Sequence, residues 1–143
     1  MSLLKKSPSR PMTRAVAGCT LPIVVQAYLR LILFDLFWGR RDFGKLYEEV
    51  RSYPCRKAIR NDETITLVCS AVDAACLWYW KEVLCLQYAV VTTHLLRANG
   101  VRAELVVGVQ QVPFKAHAWV EVEGRVVSDK PYVKEIYTVL DRC

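Results

Sequence analysis

Three residues of the sequence have the side chains that nucleophilic catalysis by a cysteine requires. His117 and Asp129 stand on either side of a tight-turn signal, and Cys85 lies upstream. A carboxylate beside an imidazole fixes the tautomer of the ring and supports its charged form, which is the supporting half of a catalytic triad. We therefore interpret Cys85 as a candidate nucleophile, His117 as its base and Asp129 as the group that orients the base. Such a set could attack an amide carbonyl and form an acyl-enzyme.

An alternating stretch predicts that the histidine and the aspartate lie on two neighbouring strands. In residues 116–122, small and β-branched side chains alternate with His117, Trp119 and Glu121. One face of this strand should therefore point inward while the other carries polar groups. A second short strand is predicted at residues 125–129. Because a shift of one residue turns every side chain to the opposite face, the register decides whether the two candidate groups meet.

The turn between these strands sets that register. A two-residue turn at residues 123–124 would leave Asp129 opposite Ala118, on the wrong face. A loop of residues 122–124, with Gly124 in the left-handed position of the common three-residue hairpin, would instead place His117 directly opposite Asp129. We therefore predict the three-residue loop.

Cys85 is predicted to open the fourth helix of the chain, residues 85–98, which Asn99-Gly100 end in the left-handed manner. No glycine or proline separates this helix from the third predicted helix, but a single helix through both segments would exceed the ordinary length. We place a break at residues 81–84. Cys85 then lies at a helix N-terminus, where the macrodipole and the free amide groups favour a thiolate and its backbone N–H could stabilise an oxyanion.

Each of these residues also has a purely structural interpretation, which the pattern leaves open. A cysteine in an apolar helix usually packs as a small hydrophobic residue, and a single strand histidine usually belongs to the core. Cys69 and Cys76 are weaker nucleophile candidates because both lie within the third predicted helix. His94 follows Cys85 by about two and a half helical turns, which is too far for it to act as the base.

Composition narrows the classes of partner. The formal net charge of +6 favours an anionic partner such as an acidic peptide. The basic residues form no single strip and no aromatic residues alternate with them, which argues against nucleic acid. None of the six cysteines forms a Cys-x-x-Cys motif, and two histidines give no zinc-ligand spacing. We expect reduced thiols, no metal or cofactor, and a cytoplasmic protein.

The order of the predicted elements gives an α+β fold: N-terminal helices, then a helix packed on a small antiparallel sheet. We expect a single domain over residues 1–143, with a basic arm (1–19), a helical part (20–80) and a catalytic part (81–143). The first three helices should run from Pro22 to about Trp38, from Gly44 to Tyr53, and from a cap at Asn61 or Asp62 to about Trp80. The strands are predicted at residues 102–109, 114–122 and 125–129, before an extended or briefly helical tail at 130–143.

The N-terminal arm is basic, and the apolar run that follows it carries one further prediction. The positive charge of the arm comes from Lys5, Lys6, Arg10 and Arg14. The uncharged run from Ala15 ends at Arg30, so it is shorter than the ~20 apolar residues of a membrane-spanning helix. We therefore expect no membrane span.

The second half of the chain resembles a known family. Its motifs, in order, are Cys85-Leu86, Leu95-Leu96-Arg97, Gly100, Gly108-Val109, Pro113-Phe114, Ala116-His117-Ala118-Trp119-Val120-Glu121, Gly124 and Asp129. In order and spacing they resemble the lasso peptide biosynthesis B2 proteins. The resemblance covers residues 85–129. The sequence departs from many members at Gln87-Tyr88, where a basic or small residue is common, so contacts with the substrate are expected to differ there.

This resemblance implies a transglutaminase-like, papain-related fold and the activity of a leader peptidase. Matched by motif, Cys85 would be the nucleophile, His117 the general base and acid, and Asp129 the orienting group. The substrate would be a ribosomally synthesised precursor peptide with a leader and a core. The implied partners are a small B1-type leader-recognition protein and the ATP-dependent cyclase that joins the freed amine to an acidic side chain.

Two other functions remain open on the sequence. A transglutaminase-like amidase or acyltransferase acting on another peptide would keep the three catalytic residues and work without a recognition partner. A non-catalytic scaffold that presents the precursor to the cyclase would not need Cys85.

Overall fold

The computed structural model describes residues 17–38, 42–55 and 61–143. Helices precede a four-stranded antiparallel sheet, which confirms the predicted α+β class. The helices are α1 (Ala17–Leu33, continued by a π-helical turn, Phe34–Trp38), α2 (Phe43–Ser52), α3 (Asp62–Trp78), α4 (Cys85–Ala98) and α5 (Val133–Ile136). The strands are β1 (Ala103–Gln110), β2 (Lys115–Val122), β3 (Arg125–Val126) and β4 (Thr138–Arg142). The four basic residues of the predicted arm, Lys5, Lys6, Arg10 and Arg14, lie outside the described residues.

The first helix begins earlier than the sequence indicated. Pro22 was predicted in the first turn because its missing N–H costs nothing there, but α1 begins at Ala17 and contains Pro22. The helix therefore does without one backbone hydrogen bond near its start. Its end agrees with the prediction, since the π-helical turn stops at Trp38. Among the described residues, no helix combines the length and the apolar character needed to cross a membrane.

The predicted break before Cys85 is confirmed. Helix α3 starts after Asn61, whose side-chain oxygen accepts hydrogen bonds from the backbone N–H groups of Glu63 (2.9 Å) and Thr64 (3.4 Å). It ends at Trp78, and residues 79–84 are not helical. Helix α4 then begins at Cys85, so the thiol does lie at a helix N-terminus.

The other end of α4 also forms as predicted. Gly100 has a φ of 83°, and the N–H of Val101 reaches back to the carbonyl of Leu96 over 2.9 Å. Glycine tolerates this left-handed conformation because it lacks a Cβ atom. The reversal sends the chain directly into β1, which lies along the helix it has just left.

Helix α4 is the centre of the fold, because its residues from Gln87 to Arg97 are all buried. It packs between α1 and α3 on one side and the sheet on the other. Its polar side chains are accommodated by hydrogen bonds to backbone carbonyls. The Thr92 and Thr93 hydroxyls donate within the helix, each over 2.8 Å, and the Arg97 guanidinium donates to carbonyls of α2 and β1. Cys85 is thereby fixed at the end of a rigid element.

The sheet has the strand order β3-β2-β1-β4. The tail at residues 130–143 contains the helical turn that was expected, and its extended part, β4, pairs with β1. In β2, the side chains of Ala118, Val120 and Val122 join the core beneath α4, as predicted for the inward face. Trp119 is also completely buried, on the opposite face, where it packs against the C-terminal segment. Both faces of β2 are therefore covered.

The predicted register of the β2–β3 hairpin is wrong. Val122 pairs with Arg125, so the loop contains only Glu123 and Gly124, not the three residues 122–124. Both loop residues have positive φ, 50° and 75° respectively. This is the conformation of the two-residue turn whose twist matches that of the flanking strands. The three-residue loop was predicted because it placed His117 directly opposite Asp129, whereas this turn leaves that pairing out of register.

Candidate active site

The structure brings His117 and Asp129 together in spite of the altered register. The Nε2 atom of His117 lies 2.6 Å from Oδ2 of Asp129. The other carboxylate oxygen of Asp129 accepts a hydrogen bond from the backbone N–H of Lys130 over 2.7 Å. The carboxylate is thus held from two sides. A hydrogen bond of this kind fixes which ring nitrogen of His117 points toward the aspartate.

Asp129 can reach the histidine because the ladder between β2 and β3 has ended before it. The N–H of Val127 still donates to the carbonyl of Val120 (3.0 Å), but the N–H of Val120 donates to the hydroxyl of Ser128 (2.8 Å). The carbonyl of Val127 instead accepts from Cys69 Sγ over 3.6 Å. The chain therefore leaves the pleat at Ser128. The alternation of a regular strand no longer decides the side to which Asp129 points.

Cys85 completes the group of three. The Cys85 thiol lies close enough to the side chain of His117 and the backbone of Ala118, the next residue along β2, for both to lower its pKa. Its neighbour Leu84 precedes α4 without capping it through a side chain, so no side chain of the N-cap occupies the first turn. The N-terminus of α4 thus faces the beginning of β2. The structure thus brings together all three residues that the sequence selected.

The electrostatics of the pair favour a thiolate beside an imidazolium. Burial raises the pKa of Cys85, but hydrogen bonds from His117 and the backbone outweigh burial, and the net pKa is lowered. For His117, burial lowers the pKa, while the hydrogen bonds with Asp129 and Cys85 raise it, to about 9 overall. Both shifts support a charged pair at neutral pH.

Two aromatic side chains that sequence reasoning did not select lie against His117. The ring of Tyr137 is 5.1 Å from that of His117, and the ring of Trp119 is 6.1 Å away. Trp119 could have been found, since it lies two positions from His117 on the same face of one strand. Tyr137 belongs to the C-terminal tail, and nothing in the local sequence connects it with the site.

The weaker candidates have other surroundings. Cys69 and Cys76 lie in α3, and the Cys69 thiol contacts the carbonyl of Val127. His94 stacks on Tyr53 with ring centroids 4.4 Å apart. Burial, together with the charges of Arg30 and Arg97, lowers the pKa of His94 to about 4. In the described residues, no cluster of three or more histidine, cysteine or acidic side chains could hold a metal ion.

The chain is similar in sequence to one curated protein and overlaps one solved structure. The chain is 38% identical over 56 residues to the microcin J25-processing protein McjB of Escherichia coli, a match that covers 39% of this chain. It spans about a quarter of that relative, 27% of its length. A crystal structure described as a candidate cysteine protease from Cytophaga hutchinsonii overlaps 99% of this chain and 51% of its own, with 14% identity and a TM-score of 0.35.

The family comparison covers most of the chain and all three candidate residues. Residues 30–142 match the Transglutaminase-like superfamily. This match begins within α1 and ends with β4, so it includes the helices as well as the sheet. The relative described above supports the resemblance to lasso peptide B2 proteins. Because this match covers most of the chain, the chain belongs to the transglutaminase-like superfamily.

Proposed function

We propose that this protein is a cysteine peptidase that removes the leader from a ribosomally synthesised lasso peptide precursor. The observation that carries the proposal is the grouping of Cys85, His117 and Asp129 at the N-terminus of α4, where His117 is hydrogen-bonded to Asp129 and interacts with the Cys85 thiol. The substrate class is supported by the B2-like motifs and by a relative whose name describes a peptide-processing protein. The family match fits the same chemistry of acyl transfer through a cysteine.

The proposed reaction begins with the Cys85 thiolate. Nε2 of His117 is hydrogen-bonded to Asp129. Nδ1 is therefore the nitrogen that takes the proton from the Cys85 thiol. The thiolate attacks the carbonyl carbon of the scissile peptide bond, and the backbone N–H at the start of α4 stabilises the oxyanion. The imidazolium gives its proton to the leaving amine, which becomes the N-terminus of the core peptide. His117 then takes a proton from water, and the resulting hydroxide releases the leader from the sulfur.

The proposed partners follow from this substrate. A B1-type protein would recognise the leader and deliver the precursor, and the ATP-dependent cyclase would use the amine that cleavage exposes. We place the reaction in the cytoplasm, where a ribosomal precursor is made and where a cysteine thiol stays reduced.

Precursor cleavage followed by mass spectrometry tests the proposal. Wild type, Cys85→Ala and Cys76→Ala are incubated with precursor and the recognition protein, and binding of both is measured for each variant. We expect cleavage at one site by wild type and Cys76→Ala, and a loss of at least ~10³-fold for Cys85→Ala with binding unchanged. Equal cleavage by wild type and Cys85→Ala would contradict the proposal and favour a scaffold that presents the precursor.

The family match favours one alternative, transfer of the acyl group to an amine. The same acyl-enzyme would form, but an amine would take the place of water. Adding a primary amine to the cleavage assay separates the two reactions. A leader that carries the amine at its C-terminus, formed without the recognition protein, would favour the transferase over the peptidase.

A further inference from the structure

Three aromatic rings pack together beside the proposed active site. His117 lies 5.1 Å from Tyr137 and 6.1 Å from Trp119, and the last two are 6.3 Å apart. The Trp119 and His117 planes are inclined by only 27°. The imidazole therefore has a ring of β2 on one side and a ring of the C-terminal segment on another.

The indole of Trp119 packs over Gly108 of the neighbouring strand, β1. Gly108 pairs with His117 across β1 and β2, and a Cβ atom at Gly108 would lie 2.8 Å from the Trp119 ring. The absence of a side chain there lets the indole lie diagonally across the strand, next to the imidazole. Trp119 has no exposed surface, so its ring is enclosed on every side.

A hydrogen bond holds this ring in place. The Nε1–H of Trp119 donates to Oε1 of Glu121 over 2.8 Å. Glu121 is also completely buried, which an unpaired carboxylate could not tolerate. Arg142 of β4 donates to its Oε2 over 2.6 Å, and Lys134 of α5 lies 3.3 Å from Oε1.

The charges around Glu121 keep it ionised. Burial raises the pKa of Glu121, but hydrogen bonds from Trp119, Arg142 and Lys134 bring the net pKa below its ordinary value. A carboxylate with fixed partners is a rigid acceptor for the indole N–H. The anchor of Trp119 thus consists of one residue from β2 and two cations from the C-terminal segment.

We propose that Trp119 is a positioning residue for His117, anchored through Glu121 by Arg142 and Lys134. The inference rests on the proposed function, since it concerns the ring that serves Cys85. His117 has to face Cys85 and Asp129 at once, and rotation of the ring would break its hydrogen bond to Asp129 and turn its other nitrogen away from Cys85. A displacement of reacting groups by about 1 Å can reduce a rate by up to ~10²-fold. The C-terminal segment thereby helps to position His117 through the anchor of Trp119.

The test compares Trp119→Phe and Arg142→Gln with wild type. The first variant keeps a ring but removes the N–H, and the second removes a cation from a half-exposed position where folding is expected to survive. Three readouts are measured: the pH profile of Cys85 alkylation by iodoacetamide, the NMR titration of His117, and single-turnover cleavage of the precursor. Val72→Ala, a buried change in α3, controls for loss of stability, and the exposed Trp78→Phe controls for the substitution itself.

We expect Trp119→Phe to lower both Cys85 alkylation at neutral pH and the single-turnover cleavage rate about tenfold, with substrate affinity unchanged. Arg142→Gln should act in the same direction by a smaller factor, and both controls should match wild type. If both test variants keep the wild-type alkylation profile and His117 titration, the inference is overturned while Cys85-dependent cleavage still stands. Cleavage by Cys85→Ala would instead overturn the proposed function.

Discussion

At the scale of single residues, the hydrogen bond between His117 and Asp129 is the largest of the interactions that raise the pKa of the histidine, ahead of those with Cys85. Asp129→Asn keeps the shape of the side chain but removes its negative charge. We expect the pKa of His117 to fall from about 9 toward its ordinary value of 6.5, because the protonated ring loses its principal support. Cleavage at neutral pH should slow, since less imidazolium is available to protonate the leaving amine.

NMR titration of the histidine ring protons measures this shift directly. The sequence contains only two histidines, and their pKa values, about 9 for His117 and about 4 for His94, separate the two curves. His94→Gln assigns the remaining resonance. A His117 pKa that stays near 9 in Asp129→Asn would contradict the role of Asp129.

The residues of the proposed site could be selected from the sequence, but their geometry could not be derived from it. The types and order of Cys85, His117 and Asp129 carry a chemical meaning that needs no coordinates. The predicted register was wrong because Val122 pairs with Arg125, and His117 meets Asp129 only because the chain leaves the pleat at Ser128. A side-chain hydroxyl that replaces a backbone partner leaves no periodic signal in a sequence.

At the scale of elements, the packing of β1 against β2 depends on Gly108. A Cβ atom there would meet the Trp119 ring at 2.8 Å and the carbonyl of Thr138 at 3.0 Å, so either the indole or β4 has to move. We expect Gly108→Ala to reduce the free energy of unfolding by ~1–3 kcal/mol, as overpacking of a core does. Urea denaturation followed by circular dichroism gives the value.

Gly44 provides the matched control for this substitution. It lies in α2, and a Cβ atom added there would meet nothing within 4 Å. Gly44→Ala should therefore leave stability unchanged or raise it by up to ~1 kcal/mol, because alanine favours the helix. Equal stability of Gly108→Ala and Gly44→Ala would show that the close approach to Trp119 does not constrain the sheet.

The helices could be predicted more accurately than the sheet, for a physical reason. The cap at Asn61, the break before Cys85 and the reversal at Gly100 depend on residues within a few positions of each other. Strand β4 forms only because β1 offers it a free edge, more than 25 residues earlier in the chain. No property of residues 138–142 alone indicates such a partner.

At the scale of the whole molecule, α4 joins the proposed chemistry to the stability of the fold. Its first residue is the proposed nucleophile, and its last turns are held by Arg97, which donates to the carbonyls of Val50 and Ala103. His94 lies between these ends, with only 2% of its surface exposed. Protonation of this buried ring should therefore destabilise the element that holds the active site.

The pH dependence of unfolding measures that effect. The pKa of His94 is about 4 in the folded protein and about 6.5 when the chain is unfolded. Between these values only the unfolded chain binds the extra proton, so the free energy of unfolding should fall by about 3 kcal/mol as pH drops from 6.5 to 4. The pKa of His117 is raised to about 9 in the folded protein, so its contribution to the free energy of unfolding does not fall as the pH drops through this window. Of the two histidines, only His94 therefore loses stability here.

Two variants separate the histidines. His94→Gln should remove most of the acid-induced loss, whereas His117→Gln should retain it, and urea denaturation at several pH values measures both. If His94→Gln lost as much stability between pH 6.5 and 4 as wild type does, the buried ring would not control this transition. Since α4 carries Cys85 at its other end, we expect alkylation of Cys85 in wild type to lose its dependence on His117 as the helix unfolds in acid. Helix α4 would then determine both the reactivity of the Cys85 thiol and the lowest pH at which that reactivity is retained.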